Sequence, residues 1–196
     1  MIIGLTGQSG SGKSSLSPLF LRLGFVVIDC DRVYREMTDK ATALTEEIAA
    51  HFGNQVLSAD GGLCRNALAS LVFADADCLK ALNRITHPAI VRELENRLSE
   101  LPPEQTAVLD APTLFESGAD RLCDRTIAVL SDPQLRLKRI LERDALQPQQ
   151  AKRRLEAQPA DDFYIHRADA VVWNNGELSN FFKKIEAVLR QFGVMP

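Results

Sequence analysis

Five short apolar runs, set apart by longer stretches of mixed polarity, give this chain its rhythm. Residues 2–6, 25–29, 106–110, 126–130 and 170–174 are apolar with little alternation, the pattern of strands buried on both faces of a parallel sheet. Between the first two runs, Leu16, Leu19, Phe20 and Leu23 recur at i, i+3, i+4 and i+7, which predicts one apolar helix face ending at Gly24 as the C′ residue. Pro18 falls beyond the first turn of that pattern, so a local distortion is expected there. From about residue 36 to 105 the periodicity is helical throughout, with a turn at Asp60-Gly61-Gly62, and reads as a helical insertion beside the sheet. Ser131-Asp132-Pro133-Gln134 predicts a helix start with serine as the N-cap. Residues 179–192 predict a last amphipathic helix whose apolar face is Phe182, Ile185, Val188 and Leu189.

Composition narrows the picture little but excludes several classes. The 196 residues, 45% hydrophobic and 25% charged, suit one compact domain with a subdomain inserted in it. The net charge of −3 offers no general attraction for nucleic acid or an anionic membrane, so any anion site must be local. Cys30, Cys64, Cys78 and Cys123 are scattered and form no metal-binding pair, which predicts reduced thiols. His51 and His166 read as surface or capping residues, and Trp173 as a strand core residue. The start of the sequence lacks a basic leader, and no apolar run approaches the roughly 18 residues of a membrane span. A cytoplasmic protein is expected.

The chemistry begins at Gly7-Gln8-Ser9-Gly10-Ser11-Gly12-Lys13-Ser14, which fits G-x-x-x-x-G-K-[ST] directly after a predicted strand and directly before a predicted helix. Such a loop turns backbone N–H groups around phosphates at a helix N-terminus. Lys13 is placed to neutralise the β- and γ-phosphates of ATP, and the Ser14 hydroxyl to coordinate Mg²⁺. The fold class that follows is α/β: a P-loop NTPase fold, three-layer α/β/α with a parallel five-stranded sheet. No N-K-x-D or switch-type D-x-x-G is present, which sets GTPases aside. Instead the second strand ends in Asp29-Cys30-Asp31. Read as extended, this puts Asp29 and Asp31 on one face at the carboxyl edge of the sheet, able to hold a metal or to accept a hydroxyl proton. A competing reading makes Asp31 a helix cap. On the helix after Ser131, Arg139 and Arg143 share a face with Arg136 and Lys138 nearby, resembling the lid of a small-molecule kinase; a solvated basic face remains the alternative.

More of the chain resembles the dephospho-coenzyme A kinase family. Val27-Ile28-Asp29-Cys30-Asp31 stands where that family has I-D-A-D, and Gly62-Leu63-Cys64-Arg65 where it has G-x-L-D-R. Ile85-Thr86-His87-Pro88 is similar to its L-x-H-P, Asp110-Ala111-Pro112-Thr113-Leu114-Phe115-Glu116 to its D-x-P-L-L-F-E, and the stretch 168–176 to its A-D-x-V-I-x-N-x-G. The resemblance implies ATP-dependent phosphorylation of the ribose 3′-hydroxyl of dephospho-CoA, with Mg²⁺, and no nucleic-acid or membrane partner. It implies Asp31 as catalytic base, Gly10, Ser11, Gly12, Lys13, Ser14 and Ser15 as the ATP phosphate site, and Asn175 near the adenine. Arg143 becomes the lid arginine with Arg139 beside it, and Arg65, His87 and Glu116 lie on the acceptor side. Residues 1–196 then form a single kinase domain, with 36–105 as acceptor-binding subdomain and about 132–160 as lid. Three positions depart from the family pattern: Gln8 for glycine, Cys64 for aspartate, and Thr113 for leucine. Other acceptors for a P-loop kinase, or a nucleotide-binding regulator without transfer, remain open at this point.

Overall fold

In the computed structural model, residues 1–144 and 146–195 are described. Two compact units emerge, one made of Met1–Ile28 and the chain from Pro102 onward, the other of Asp29–Leu101.

The first unit holds the sheet. Strands β1 (Ile2–Gly7), β2 (Val26–Asp29), β3 (Ala107–Asp110), β4 (Arg125–Leu130) and β5 (Ala170–Trp173) stand in the order β2-β3-β1-β4-β5. Parallel ladders pair Ile3 with Val108 and with Arg125, and Ile127 with Ala170. Because side chains alternate along a strand, Ile3, Leu5, Ile127 and Val129 serve one face and Ala128 and Leu130 the other. The first face is covered by α1 (Ser17–Arg22) through Leu19 and Phe20, and by α10 (Leu178–Gln191) through Phe181, Ile185 and Leu189. The second is covered in part by α9 (Asp161–Ile165), whose Tyr164 packs on Ala128 and Leu130. Helices α6 (Leu114–Ser117), α7 (Pro133–Asp144) and α8 (Pro148–Glu156) complete this unit. Burial on both faces is the reason the strands read as continuous apolar runs.

Three expectations shift by a residue or a turn. On α10 it is Phe181, 2% exposed, that joins Ile185 and Leu189 in the core, whereas Phe182 packs only partly. The α7 helix begins at Pro133, so Asp132 rather than Ser131 takes the cap position, and the Ser131 hydroxyl donates to the Asn174 carbonyl instead. Pro18 sits in the first turn of α1, because a separate 3-10 turn, Lys13–Leu16, precedes the helix and absorbs the distortion that proline imposes.

The second unit is helical: α2 (Cys30–Thr38), α3 (Ala43–Phe52), α4 (Arg65–Ala74) and α5 (Ala76–Ser99). Its own core is built on Leu44, Ile48, Phe52, Val56, Leu63 and Leu68. Thr42 starts α3 with a capping box to Thr45. The turn at Asp60-Gly61-Gly62 closes a short antiparallel bridge between Leu57 and Leu63. No helix among the described residues is long and apolar enough to cross a membrane.

Candidate active site

The site grows from the carboxyl end of β1. At Gly7 the strand ends, and the chain doubles back with the Ser11 amide donating to the Gln8 carbonyl at 3.1 Å. Gly10 has φ 79° and a Cβ there would stand 2.6 Å from the Arg136 carbonyl; Gly12 has φ 93° and a Cβ there would stand 2.3 Å from Asn174 Nδ2. Only glycine allows both the left-handed backbone and the close approach. The 3-10 turn from Lys13 follows at once, and its first amides lack partners within the turn, which leaves them available to an anion.

The loop is held from behind. Asn174, just past β5 and 6% exposed, donates from Nδ2 to the Ser11 carbonyl at 2.8 Å. Arg139 on α7 donates to the carbonyls of Gly10 (3.2 Å), Ser11 (3.4 Å) and Asn174 (3.0 Å) and to Ser131 Oγ (3.1 Å). Its guanidinium supports the carbonyl side of the loop, so the loop amides turn the other way. The role of Asn174 is not visible in the sequence, where the family motif includes the residue without singling it out.

At the mouth of the loop Lys13 Nζ is paired with the Asp110 carboxylate, 97 residues away, both side chains being largely buried. Asp110 ends β3, and the parallel register that pairs it with Leu5 brings it beside the loop. The Ser14 side chain faces solvent, and Ser15 Oγ donates to the Gly12 carbonyl at 2.7 Å. Asp110 is a site residue that sequence reasoning passed over. Its signal was its place in the D-x-P motif, at a strand end.

The lid-like segment carries its charges in defined pairs. Arg143 is exposed and donates to both oxygens of Asp144, at 2.6 and 2.9 Å, while Arg154 on α8 holds the same carboxylate at 2.8 Å. The two guanidiniums keep the Asp144 carboxyl below the usual aspartate range. Asn175 clamps the start of α7: its Oδ1 accepts from the Asp132 amide and its Nδ2 donates to Asp132 Oδ1, each at 2.9 Å. Glu116, on α6, reaches solvent at its edge, yet the surrounding protein strips enough water to raise its carboxyl above the ordinary value, with the charge of Arg167 opposing.

The remaining expected residues belong to the helical unit, and here one reading is corrected. The extended backbone does not continue past Asp29, since Cys30 and Asp31 are helical. The strand stops at Asp29, whose carboxylate accepts from the Arg32 amide at 3.1 Å and caps α2. Asp31 is therefore in the first turn of α2 and exposed, and the shared face expected of an extended Asp29-Cys30-Asp31 does not form. Arg65, at the start of α4, is paired with Asp39 and lies over the Tyr34 ring, 5.9 Å from its centroid. Asp39 thus supplies the carboxylate that Cys64 does not. His87 lies inside α5, directly before Pro88. Among the described residues no cluster of three or more histidines, cysteines or acids could hold a metal ion, and no disulfide joins the four cysteines.

A parallel five-stranded sheet with a glycine loop, a lysine and a strand-end aspartate at its carboxyl edge defines a P-loop nucleotide-binding protein of the small-kinase type. A family model described as dephospho-CoA kinase matches residues 1–180. Curated dephospho-CoA kinases from Fusobacterium nucleatum and Moorella thermoacetica are 38% and 42% identical, the first over 95% of both chains and the second over 90% of this chain and 85% of its own. Among solved structures, one from Thermus thermophilus aligns over 97% of both chains with a TM-score of 0.81 at 33% identity. A dephospho-CoA kinase from Campylobacter jejuni aligns with a TM-score of 0.71 at 27% identity, over 97% of this chain and 96% of its own. A shikimate kinase from Acinetobacter baumannii, 17% identical with a TM-score of 0.55 over 97% of this chain and 93% of its own, shares the fold. The chain belongs to the dephospho-CoA kinase family.

Proposed function

We propose that this chain transfers the γ-phosphoryl group of ATP to the ribose 3′-hydroxyl of dephospho-CoA, giving CoA and ADP, the last step of coenzyme A synthesis. The observation that carries the reading is the intact phosphate site, Gly10 to Ser15 with the Lys13–Asp110 pair, in a chain of this family. In the transfer the bond from the γ-phosphorus to the β,γ-bridging oxygen breaks and a bond to the 3′-oxygen forms. Asp31 takes the hydroxyl proton, and its exposed place in the first turn of α2 leaves the carboxylate accessible to a substrate.

Lys13 is held by Asp110; phosphate oxygens give its charge a second anion, and Lys13 then follows the transferring group. Arg143 stabilises the charge on that group after leaving Asp144. The exchange costs little, because an exposed pair contributes only about 0–1 kcal/mol and Arg154 still neutralises Asp144. Arg139 and Asn174 keep the loop in shape, and Asn175 lies at the nucleotide-base end. Arg65, His87 and Glu116 bind the acceptor.

The oxygen donors present suit Mg²⁺, which is typically bound through one or two carboxylates plus substrate phosphates rather than by a protein cage. Ser14 Oγ and the Asp110 carboxylate, with Asp31 as a further candidate, would hold the ion, which would neutralise charge on the phosphates. The helical unit, Asp29–Leu101 in the structure, serves as the acceptor-binding subdomain, and residues 132–160 serve as the lid. A cytoplasmic location belongs to the same reading.

The test is the product. Phosphorus NMR of a reaction with Mg-ATP and dephospho-CoA is expected to show a new phosphomonoester on the ribose 3′ position. Consumption of ATP without that ester would contradict the assignment.

A further inference from the structure

The glutamine that replaces the family's glycine at position 8 is 4% exposed, and between them Gln8 and its neighbour Ser9 bond to three residues, Arg136, Gln158 and Pro159. Gln8 Oε1 accepts from Arg136 at 2.7 Å, and Gln8 Nε2 donates to the Pro159 carbonyl at 2.9 Å. Every polar group of Ser9 is also held: its carbonyl by Arg136 Nε at 3.1 Å, its amide by Gln158 Oε1 at 2.9 Å, and its hydroxyl by Gln158 Nε2 at 3.3 Å. Arg136 closes the ring by donating to Gln158 Oε1 at 3.1 Å. Arg136 lies in the first turns of α7, and Gln158 and Pro159 follow α8, so both ends of one helical segment meet the same two loop residues. Arg136 is 4% exposed, and burial pulls its pKa down from the usual arginine value, with the charge of Asp161 opposing. Among the described residues no carboxylate comes within ion-pair distance of it, since the acceptors of its hydrogen bonds are neutral oxygens.

We propose that Gln8, Arg136 and Gln158 form a latch that sets the phosphate loop for ATP and ties that setting to the α7–α8 segment, making all three positioning residues for the nucleotide. A displacement of either end of the segment pulls on Gln8 and Ser9, and through the Ser11-to-Gln8 hydrogen bond on the turn that shapes the rest of the loop. The buried charge of Arg136 adds a positive potential behind the loop, which the more distant Asp161 carboxylate only partly offsets. Pro159 and Gln158 tie the far end to the loop by side chain and main chain at once.

Only the kinetic arm of the test rests on the kinase reading. The primary measurement is titration of an N-methylanthraniloyl ATP analogue into the full chain with magnesium and no acceptor, which reads the latch whatever the acceptor is. Gln8→Ala and Gln158→Ala are each expected to weaken binding by about 3- to 10-fold, the effect of losing a buried hydrogen bond or two. Arg136→Met is expected to weaken it more than about 10-fold, and Arg136→Lys, which keeps the charge but not the planar fork, to recover only part. In Gln8→Ala, tryptic cleavage after Lys152, Arg153 or Arg154, all exposed on α8, should be faster than in wild type and return to the wild-type rate with saturating nucleotide. In turnover, KM for ATP should rise while KM for dephospho-CoA stays within about twofold. If Arg136→Met does not fold, the two glutamine variants decide. Variants that melt earlier yet bind the analogue with wild-type affinity overturn the latch, because the network would then serve packing alone.

Discussion

Replacing Asp110 by asparagine removes one charge from the Lys13 pair while keeping the side chain's shape. The two side chains are 14% and 11% exposed, so the lysine ammonium would be left in a largely dry setting without its counter-charge. Stranding one member of a buried pair costs ~3–5 kcal/mol. The asparagine oxygen can still accept from Nζ, which recovers part of a charge-assisted hydrogen bond and brings the loss to about 2–3 kcal/mol. For a chain of this length that corresponds to a fall of roughly 4–12 °C in melting temperature. ATP added in the presence of a chelator supplies the missing anion, so the nucleotide-induced rise in melting temperature should be larger in Asp110→Asn than in wild type. Adding magnesium should then stabilise the wild type further and the variant much less, because the negative charge that would hold the ion at position 110 is gone. Differential scanning fluorimetry of the two proteins, bare, with ATP and chelator, and with Mg-ATP, reads all of these. An unchanged melting temperature in the bare variant would refute the reasoning, since the pair would then contribute nothing to the ligand-free fold.

Three further outcomes follow from the geometry. Asp31→Asn should lower kcat by at least ~10²-fold with nucleotide affinity within about twofold of wild type, measured by steady-state kinetics and analogue titration, because the lost group acts on the hydroxyl proton rather than on the phosphates. Glu116 has a raised carboxyl pKa, so its neutral form is the one the fold favours: its contribution is intact below the ordinary glutamate pKa of about 4.3 and is lost as pH rises through the higher folded value. Glu116→Gln is therefore expected to flatten the pH dependence of stability just above that range and to melt no lower than wild type at neutral pH, as followed by thermal unfolding from pH 4 to 8. Burial, with the charges of Asp120, Asp124 and Asp169, pushes the Cys123 thiol up to about 12, so it should be the slowest of the four cysteines to react with iodoacetamide at pH 8, as read by mass spectrometry.

Much of this architecture was legible because each strand is buried on both faces and so announces itself as an apolar run; all five fall within a residue of their expected ends. The phosphate loop was legible because its glycines are demanded by backbone geometry, as the contacts at Gly10 and Gly12 make plain. What escaped the sequence is what depends on distant pairing. Asp110 acquires its role only when β3 is laid beside β1 out of chain order, and Gln8 and Arg136 are 128 residues apart. The Asp29-Cys30-Asp31 segment was read as extended because an aspartate after an apolar run fits a strand end and a helix cap equally well. A cap does form, but at Asp29 rather than at Asp31, because the Asp29 carboxylate satisfies the Arg32 amide, one of the free donors at the start of α2. The arginines of α7 looked alike in sequence, yet burial separates them: Arg136 is enclosed, Arg139 backs the loop, and Arg143 lies at the surface with Asp144.

The central claim is that this phosphate site serves transfer to dephospho-CoA. It is tested most directly by coupled-assay ADP release from Mg-ATP with the purified chain, comparing dephospho-CoA with nucleoside monophosphates, gluconate, shikimate and no acceptor. The account predicts turnover with dephospho-CoA at least ~10²-fold above every other condition, since a site that hydrogen-bonds its acceptor rejects analogues lacking those groups. Turnover with another acceptor and none with dephospho-CoA would contradict it.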